Sequence, residues 1–156
     1  MDKIQSLKGM IDLIANRSDP DDFAESIFRT EDALKNIFLN FGYSEIRTPT
    51  LEDADLFKRS VGDSSDIVNK ELYSFFDKNE KNITLRPENT AGVIRSVIEK
   101  KIDANTHKFW YLGPMWRYER PQKGRYRQFN QAGIEIIGHP EGCLLYTSDA
   151  ADDTRS

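Results

Sequence analysis

The segment from Phe109 to Gly138 constrains the fold more than any other part of the sequence. Two stretches rich in aromatic and β-branched residues flank a turn-forming sequence, Pro121-Gln122-Lys123-Gly124. Strand-forming stretches on either side of a turn that contains proline and glycine are typical of a β-hairpin with a longer loop. The sequence therefore predicts two antiparallel strands joined by a loop in this segment.

The loop of the predicted hairpin carries a dense cluster of positive charge. Its cations are Arg117, Arg120, Lys123, Arg125 and Arg127, and Glu119 is the only acid among them. Like charges at a hairpin tip repel one another, and a polyanion lying against them relieves that repulsion. A solvated, charged outer face is the alternative interpretation of the same residues. The arginine density around the turn favours an anion-binding loop.

Side-chain alternation predicts a polar floor on one face of the hairpin. Residues two apart in a strand share a face, so Arg117 lies with Glu119, and Gln131 lies with Gly133 and Glu135. Gln131 and Glu135 are then roughly 13 Å apart at ~3.3 Å per residue. If Arg117 pairs near Gln131, Gly133 leaves open space between the amide and the second carboxylate. This layout suits a ligand with phosphates at one end and a small polar or cationic group at the other.

Three parts of the chain resemble a known family. The run Trp116-Arg-Tyr-Glu-Arg-Pro-Gln-Lys-Gly-Arg-Tyr-Arg-Gln-Phe129 resembles motif 2 of the class II aminoacyl-tRNA synthetases, in the form found in the histidyl-tRNA synthetase family. Residues 20–52 resemble motif 1 of that family, because a predicted helix, a glycine, a strand and a proline follow one another in the same order. The sequence Arg86-Pro-Glu-Asn-Thr90 resembles the family's histidine-binding segment. The resemblance covers about residues 7–142. It implies an α+β fold, with an antiparallel sheet flanked by helices, as a truncated class II synthetase-like catalytic core.

The remaining pattern predicts the elements around that hairpin. A helix is expected over residues 19–41, capped by Asp19, with Pro20 at its first position and Gly42 ending it. The apolar side chains on its predicted buried face are Phe23, Ile27, Leu34, Ile37, Phe38 and Phe41. A strand then runs over residues 43–48, and Pro49 ends it.

Further elements follow in the middle of the chain. A short helix is predicted over residues 51–60, a loop over 61–66, and a hairpin of two strands over 70–76 and 82–86. Pro87-Glu88-Asn89-Thr90 opens another helix. The buried stripe predicted for that helix is Ile94, Val97, Ile98 and Ile102.

The resemblance implies a nucleotide-binding role for the hairpin loop. Arg117 is the expected catalytic residue and contacts the α-phosphate of ATP, because a guanidinium fork matches two phosphate oxygens. Glu119 is expected to accept from the adenine amino group. Arg125 is expected to reach the outer phosphates, where Mg²⁺ also acts.

The resemblance likewise implies a histidine-binding set. Glu88, Thr90 and Gln131 are expected to hold the substrate's amino group, and Glu135 its imidazole, since a carboxylate accepts from a ring N–H. Asn89 stands where many members of the family have glycine, and a side chain there is expected to narrow the amino-acid pocket. From the residues alone, capping of a helix N-terminus explains Glu88 and Thr90 better than substrate binding does.

The implied reaction joins L-histidine to ATP, forming histidyl-adenylate, and then transfers the histidyl group to tRNA(His). The full-length proteins of the family are expected to be homodimers. One alternative is a histidine-sensing regulatory subunit of ATP phosphoribosyltransferase, which resembles the same catalytic domain without being an enzyme. A second alternative is a basic hairpin that binds RNA through phosphate contacts only.

Composition limits the remaining possibilities. The chain has 156 residues and a net charge of −4, which suits one domain whose nucleic-acid contacts come from local basic patches. Its single cysteine, Cys143, excludes an internal disulfide and a cysteine metal site, and a cytoplasmic location is expected. No apolar run reaches the ~18 residues of a membrane span. His107 and His139 lack partners at metal-ligand spacing, so no metal site is predicted on the protein.

The last residues differ from everything before them. Residues 143–156 show neither strand alternation nor a helical stripe, and they resemble translated vector sequence. The native-looking domain is therefore expected to cover residues 1–142, with motif 1 at about 20–52 and motif 2 at about 109–138. An N-terminal fragment of this kind lacks the family's downstream catalytic motifs and is expected not to charge tRNA.

Overall fold

The computed structural model describes residues 4–16, 18–19, 21–61, 71–102, 105–120, 122 and 124–138. The predictions made for Pro20, Lys123, His139, most of the 61–66 loop and the 143–156 tail lie outside these residues. The described residues form three helices and six strands. The helices are α1 (Phe23–Asn40), α2 (Ala54–Val61) and α3 (Thr90–Glu99). The strands are β1 (Ser44–Glu45), β2 (Leu51–Asp53), β3 (Tyr73–Phe76), β4 (Asn82–Leu85), β5 (His107–Trp116) and β6 (Gln128–Ile137).

The strands form two three-stranded sheets. One sheet has the order β1-β5-β6 and the other β2-β4-β3, and every pairing is antiparallel except that of β1 with β5. The backbone of Arg86 connects the two sheets, since its N–H donates to the Thr50 carbonyl and its carbonyl accepts from the Trp116 N–H, each at 3.0 Å. The predicted α+β class is confirmed.

Helix α1 begins later than predicted and ends where predicted. Its N-cap is Asp22 rather than Asp19, and the Asp22 carboxylate accepts from the Glu25 N–H at 2.7 Å. At the other end Gly42 has φ +76, and the Tyr43 N–H donates to the Phe38 carbonyl, which is a Schellman closure. The glycine therefore ends the helix because it adopts the left-handed conformation at low cost.

Helix α1 covers one face of the β5–β6 hairpin. Its Phe38 ring lies 5.6 Å from the ring of Trp110, which is an even-numbered residue of β5. Other apolar residues of the predicted stripe remain exposed, among them Phe23, Ile37 and Phe41. The helix is thus anchored by part of its apolar face only.

The opposite face of the hairpin packs on α3. The core there consists of Val93 of α3 with Tyr111 and Met115 of β5, and partly buried apolar side chains surround it. Those neighbours are Ile46, Val97, Phe109, Phe129 and Ile137. Odd-numbered hairpin residues therefore face α3, and even-numbered ones face α1.

Two predictions about local elements are wrong. Residues 51–53 form strand β2, not the start of a helix, because they pair in register with β4. In α3 the buried residues are Ala91, Gly92, Val93 and Ser96, whereas Ile94 and Ile98 are exposed. The small residues of the helix lie on its buried face, where Gly92 packs tightly against Thr48 (a Cβ there would lie 3.1 Å from Thr48 Oγ1).

Candidate functional site

The register of the β5–β6 hairpin differs from the predicted one. The Arg117 N–H donates to the Arg127 carbonyl at 2.9 Å, and Gln131 pairs with Gly113. The predicted pairing of Arg117 with Gln131 is therefore wrong by four residues. An even shift in register leaves every side chain on its predicted face. The polar residues consequently still share one face, but they are spread further along it.

Three of the predicted site residues line one cavity at the loop end of the hairpin, which we call the nucleotide end. This cavity has a volume of about 460 Å³. Its lining residues are Glu71, Arg117, Glu119, Gly124, Arg125, Tyr126 and Phe129. Glu119 lies between two guanidinium groups, 4.0 Å from that of Arg117 and 3.8 Å from that of Arg125. These distances are long for ion pairs, and the side chain of Arg125 is 65% exposed.

Of the predicted turn sequence, Gln122 and Gly124 are described, and the chain reverses direction there. Gln122 and Arg125 form a β-bridge, and the Arg125 N–H donates to the Gln122 carbonyl at 2.9 Å. Gly124 has φ +80, a conformation that side chains rarely adopt. Arg125 follows this turn, and its guanidinium lies 3.8 Å from the Glu119 carboxylate.

Arg117 is held more firmly than Arg125. Its Nε donates to the Pro87 carbonyl at 3.0 Å, and its guanidinium carbon lies 5.0 Å from the centre of the Phe129 ring. The hydrogen bond and the cation–π contact together restrain the long side chain. Its Nη1 lies 4.0 Å from the Glu119 carboxylate, and both residues line the same cavity.

A second cluster of predicted site residues surrounds the N-terminus of α3, and we call it the amino-acid end. The Thr90 hydroxyl donates to Glu135 Oε1 at 2.7 Å. The Glu88 carboxylate accepts from the backbone N–H groups of Thr90 and Ala91, at 2.5 and 3.1 Å. Glu88 therefore caps α3, as the simpler interpretation of the sequence predicted, and this capping fixes its orientation.

The space beside Gly133 is occupied, contrary to prediction. A Cβ atom at Gly133 would lie 2.4 Å from the Cζ and the hydroxyl oxygen of Tyr111, which is the residue paired with it. The phenol ring thus fills the space that the sequence had suggested was open. Burial, together with the nearby carboxylates of Glu135 and Glu88, raises the pKa of Tyr111.

Asn89 lies in the interior of the protein. Its side chain is 1% exposed, and its Oδ1 accepts from the Thr48 hydroxyl and from Arg86 Nη1. The expectation that Asn89 narrows an amino-acid pocket is therefore corrected. Its side chain instead orients Arg86, whose guanidinium also donates to the carbonyls of Thr48 and Pro114. Burial lowers the pKa of Arg86, but these acceptors stabilise its charge.

Among the residues that the structure describes, the side-chain oxygen of Gln131 has no hydrogen-bond donor. Its Oε1 atom is buried and, within the described part of the chain, receives no hydrogen bond. A buried amide oxygen without a donor is costly unless a ligand or water supplies one. The atom is therefore an available acceptor on the face that carries both clusters.

One short segment connects the two clusters. Pro87 accepts from Arg117, and Thr90 donates to Glu135. Three residues of backbone span at most about 11 Å, so the segment keeps the two ends close in space although they lie far apart along the strands. The groups that bind Arg117 and Glu135 therefore lie on one segment whose ends are at most about 11 Å apart.

Sequence reasoning missed three residues of this face. Tyr111 and Phe129 are odd-numbered residues of the hairpin, so the alternation that placed Gln131 and Glu135 predicts their side as well. Glu71 gave no such signal, because it lies outside the hairpin. It reaches the nucleotide end from a separate segment, which is held there by a 2.7 Å hydrogen bond from the Tyr118 N–H to the Glu71 carbonyl.

Neither a metal cluster nor a membrane helix is found in the described ranges. No group of three or more His, Cys, Asp and Glu side chains there is arranged to hold a metal ion. None of the helices seen in those ranges has the length and apolarity needed to cross a membrane.

The sequence matches a family model described as histidyl-tRNA synthetase over residues 18–142. A histidine–tRNA ligase from a Nitratiruptor species is 51% identical over 139 residues, which is 88% of this chain and 33% of the relative. The histidine–tRNA ligase of Legionella pneumophila strain Philadelphia 1 is 51% identical over 140 residues, covering 88% of this chain and 31% of the relative. The chain thus spans about a third of the length of the curated relatives it matches.

Solved structures give the same fold. The apo histidyl-tRNA synthetase of Staphylococcus aureus superposes with a TM-score of 0.70 at 37% identity, covering 96% of this chain and 33% of that one. A protein described as an ATP phosphoribosyltransferase regulatory subunit/histidyl-tRNA synthetase, from Bacillus halodurans, gives 0.72 at 24% identity, covering 97% and 37%. The second likeness concerns the fold alone.

Proposed function

The chain belongs to the histidyl-tRNA synthetase family, and from this membership we propose that its hairpin face activates L-histidine with ATP. The observation that carries the proposal is the Pro87–Thr90 segment, which links Arg117 to Glu135 through two direct hydrogen bonds. The α-phosphate of ATP and the carboxylate of histidine must meet for histidyl-adenylate to form. A site with both ends on one short segment holds them within reach of each other.

The nucleotide end supplies groups for ATP. Arg117 contacts the α-phosphate and stays charged as negative charge develops in the transition state. Arg125 is exposed and free to extend toward the outer phosphates, and Glu119 accepts from the adenine amino group. Phe129 contributes an apolar wall to the same cavity.

Mg²⁺ enters this site with the nucleotide. Glu71 also lines the cavity and leaves one carboxylate for the ion while Glu119 accepts from adenine, which agrees with the way Mg²⁺ binds through one or two carboxylates and substrate phosphates. When bound, the ion neutralises charge on the outer phosphates.

The amino-acid end supplies groups for histidine. Gln131 Oε1 is a buried acceptor that receives no hydrogen bond from the described residues, and the substrate's ammonium group provides that donor. Glu88 and Thr90 lie at the same rim, and Glu135 accepts from the imidazole N–H. Asn89 has no direct contact with histidine in this proposal.

The later step and the assembly follow from the relatives. Histidine–tRNA ligases join histidine to tRNA, and we propose tRNA(His) as the acceptor, a homodimer as the full-length assembly and the cytoplasm as the location. The matched relatives are about three times as long as this chain. We therefore expect no histidine-dependent ATP–pyrophosphate exchange from residues 1–156 alone, and detectable exchange would contradict this expectation.

Ligand binding to the chain tests the site itself. Isothermal titration calorimetry should show binding of Mg²⁺-ATP and of L-histidine to the wild-type chain. Arg117→Ala should raise the Kd for ATP at least about tenfold, since a charge-assisted hydrogen bond contributes ~1.5–3 kcal/mol. Arg47→Ala is the matched control, because Arg47 is highly exposed and pairs with Glu45 on a different element.

The outcomes separate the candidate functions. Histidine binding without ATP binding supports the regulatory-subunit alternative. RNA binding that depends strongly on salt and responds to neither ligand supports the basic-hairpin alternative. Failure of the wild-type chain to bind either small ligand contradicts the proposed site.

A further inference from the structure

Arg127 stands directly before β6, next to the cavity of the nucleotide end but outside the set of described residues that line it. Its side chain is partly buried, and its Nε donates to the Glu119 carbonyl at 3.1 Å. The flat guanidinium also lies over the Tyr118 ring, with its carbon 4.2 Å from the ring centre. One side chain therefore contacts two consecutive residues on the other side of the loop.

The backbone of Arg127 is bound on both sides. Its N–H donates to the Gly9 carbonyl at 2.6 Å, and its carbonyl accepts from the Arg117 N–H at 2.9 Å. The N-terminal segment and the first strand end thus hold the residue between them. A planar guanidinium that extends from such a fixed backbone loses little further freedom when it binds an acceptor. Arg127 is therefore a fixed point of the loop.

The contacts of Arg127 complete the support of the backbone around Glu119. The Glu119 N–H donates to the Arg117 carbonyl at 2.8 Å, and the Glu119 carbonyl accepts from Arg127, so both backbone polar groups of Glu119 are bound. The preceding Tyr118 N–H donates to the Glu71 carbonyl at 2.7 Å. The backbone from which the Glu119 side chain extends is thus fixed, although the carboxylate itself stays loosely paired.

We infer that Arg127 is a positioning residue that fixes the backbone at Glu119, so that the Glu119 carboxylate selects adenine over guanine. This inference rests on the proposed function. A carboxylate accepts from the amino group on C6 of adenine, whereas guanine has a carbonyl oxygen there, which is also an acceptor and repels it. Base selection then depends on where the carboxylate lies. Arg127 itself has no direct contact with the nucleotide in this arrangement.

Arg120 provides a matched comparison for the charge of Arg127. Both arginines belong to the same loop, and the loss of either one removes one positive charge from it. Arg120 is exposed, whereas Arg127 is partly buried against Tyr118 and bonded to the Glu119 carbonyl. A role in general attraction of phosphates predicts similar effects of the two substitutions. A positioning role predicts a loss of base selection for Arg127 alone.

The first test compares the Kd for Mg²⁺-ATP with the Kd for Mg²⁺-GTP by calorimetry. The wild-type chain should prefer ATP by about tenfold or more, the size of one hydrogen bond to a charged group. Arg127→Met should remove most of this preference, because the carboxylate is no longer held in place. Arg120→Met should change both Kd values by the same factor. An unchanged ratio of the two Kd values in Arg127→Met would overturn the inference.

A double-mutant cycle shows whether Arg127 acts through Glu119. Glu119→Ala removes the group that distinguishes the bases, so Arg127→Met in that background should leave the ratio of the two Kd values unchanged. A general loosening of the structure would lower the affinity for both nucleotides in either background. A further change of the ratio in the double variant would contradict action through Glu119.

Hydrogen exchange measures the support of the loop without any ligand. In Arg127→Met the backbone amides of Tyr118 and Glu119 should exchange about tenfold faster than in the wild type, because one hydrogen bond that restrains them is lost. The Ile46 amide, which donates to the Trp110 carbonyl at 2.9 Å away from the loop, should exchange at an unchanged rate. Unchanged exchange at Glu119 would overturn the inference.

The tests also distinguish this inference from the proposed function. If the wild-type chain does not bind ATP, the proposed nucleotide end fails, and the exchange rates still show whether Arg127 fixes the loop. If it binds ATP and GTP equally, base selection by Glu119 is refuted while phosphate binding stands. Near-ultraviolet circular dichroism establishes that each variant keeps the fold. Should Arg127→Met not fold, Tyr118→Leu removes the ring under the guanidinium, and the same changes are expected in smaller size.

Discussion

The amino-acid end and the nucleotide end of the hairpin face are built differently. At the amino-acid end the polar groups bind one another at ordinary hydrogen-bond distances, as in the 2.7 Å bond from Thr90 to Glu135. At the nucleotide end Glu119 lies 3.8 and 4.0 Å from its two arginine partners, and one of these, Arg125, is largely exposed. One end is organised by protein contacts, and the other is still open to a ligand.

The difference has a physical consequence for binding. A small substrate offers few contacts, so its site gains most from groups that are fixed beforehand. A triphosphate offers many charged oxygens and can order flexible arginines by itself. We therefore expect mutations at the amino-acid end to act through the fold, and mutations at the nucleotide end to act mainly through the ligand.

The largest effect is expected from the support beneath the amino-acid end. Arg86 is buried and donates to the carbonyls of Thr48 and Pro114 and to the side chains of Thr48 and Asn89. Arg86→Met removes the guanidinium donor from the carbonyls of Thr48 and Pro114, and the free energy of unfolding should fall by on the order of 3 kcal/mol. Urea denaturation measures this value.

The control for this experiment is Arg47→Met. Arg47 is exposed and makes a surface ion pair with Glu45, so its loss should change stability by less than about 1 kcal/mol. Equal effects of the two substitutions would show that the amino-acid end does not depend on Arg86.

A smaller effect is expected from crowding Tyr111. In Gly133→Ala the new methyl group lies within 2.4 Å of the phenol, so the ring must move and the stability should fall by roughly 1–3 kcal/mol. Histidine affinity should fall with it. Ala132→Ser, at an exposed neighbour on the opposite face, should change stability by less than about 0.5 kcal/mol. Thermal denaturation compares the two variants, and equal stabilities would contradict the close packing.

At the nucleotide end the expected effect is on ligand affinity and depends on salt. Arg125→Ala should raise the Kd for Mg²⁺-ATP by a few-fold in dilute buffer, and the difference should shrink as salt screens the exposed charge. Arg117→Ala should also raise the Kd for Mg²⁺-ATP, and this increase should persist at high salt. The wild-type Arg117 guanidinium is fixed by Pro87 and partly shielded from solvent, so salt screens it less. Calorimetry at two ionic strengths measures the Kd of each variant for Mg²⁺-ATP. If salt changed the two Kd values in parallel, the two arginines would be equivalent.

The smallest expected effect is a pH dependence of stability. Burial raises the pKa of Tyr111 in the folded state above the value of about 10 in the unfolded chain. The folded state therefore keeps the phenol proton to a higher pH than the unfolded chain does. The contribution of this group to the free energy of unfolding is complete below about pH 10 and is lost as the pH rises through the folded-state pKa. Tyr111→Phe lacks the group, and its free energy of unfolding should fall less steeply over that range. Urea denaturation at a series of pH values measures this free energy. If it fell equally steeply with pH in the wild type and in Tyr111→Phe, the raised pKa would be contradicted.

Much of this arrangement was predictable from the sequence. The hairpin and the shared face of Arg117, Gln131 and Glu135 follow from side-chain alternation, which survives an even error in register. The end of α1 at Gly42 follows from the conformational freedom of glycine. These features depend on neighbours in sequence, so local patterns are sufficient to predict them.

Features that depend on distant parts of the chain were not predictable in the same way. The register is set by the Arg117–Arg127 pairing across a long loop, and the position of Asn89 depends on Thr48, 41 residues away. The face of α3 that is buried reflects the close approach of Gly92 to Thr48 rather than the apolar periodicity of the helix. In each case tertiary packing outweighed the local pattern.

Binding of a non-hydrolysable histidyl-adenylate analogue tests the central claim most directly. The claim is that both ends form one site, because Pro87 binds Arg117 and Thr90 binds Glu135. NMR titration of the chain should shift the Arg117 Nε and Glu135 carboxyl signals together, with one Kd and one ligand per chain. Shifts confined to one end, or two separate affinities, would contradict the single site.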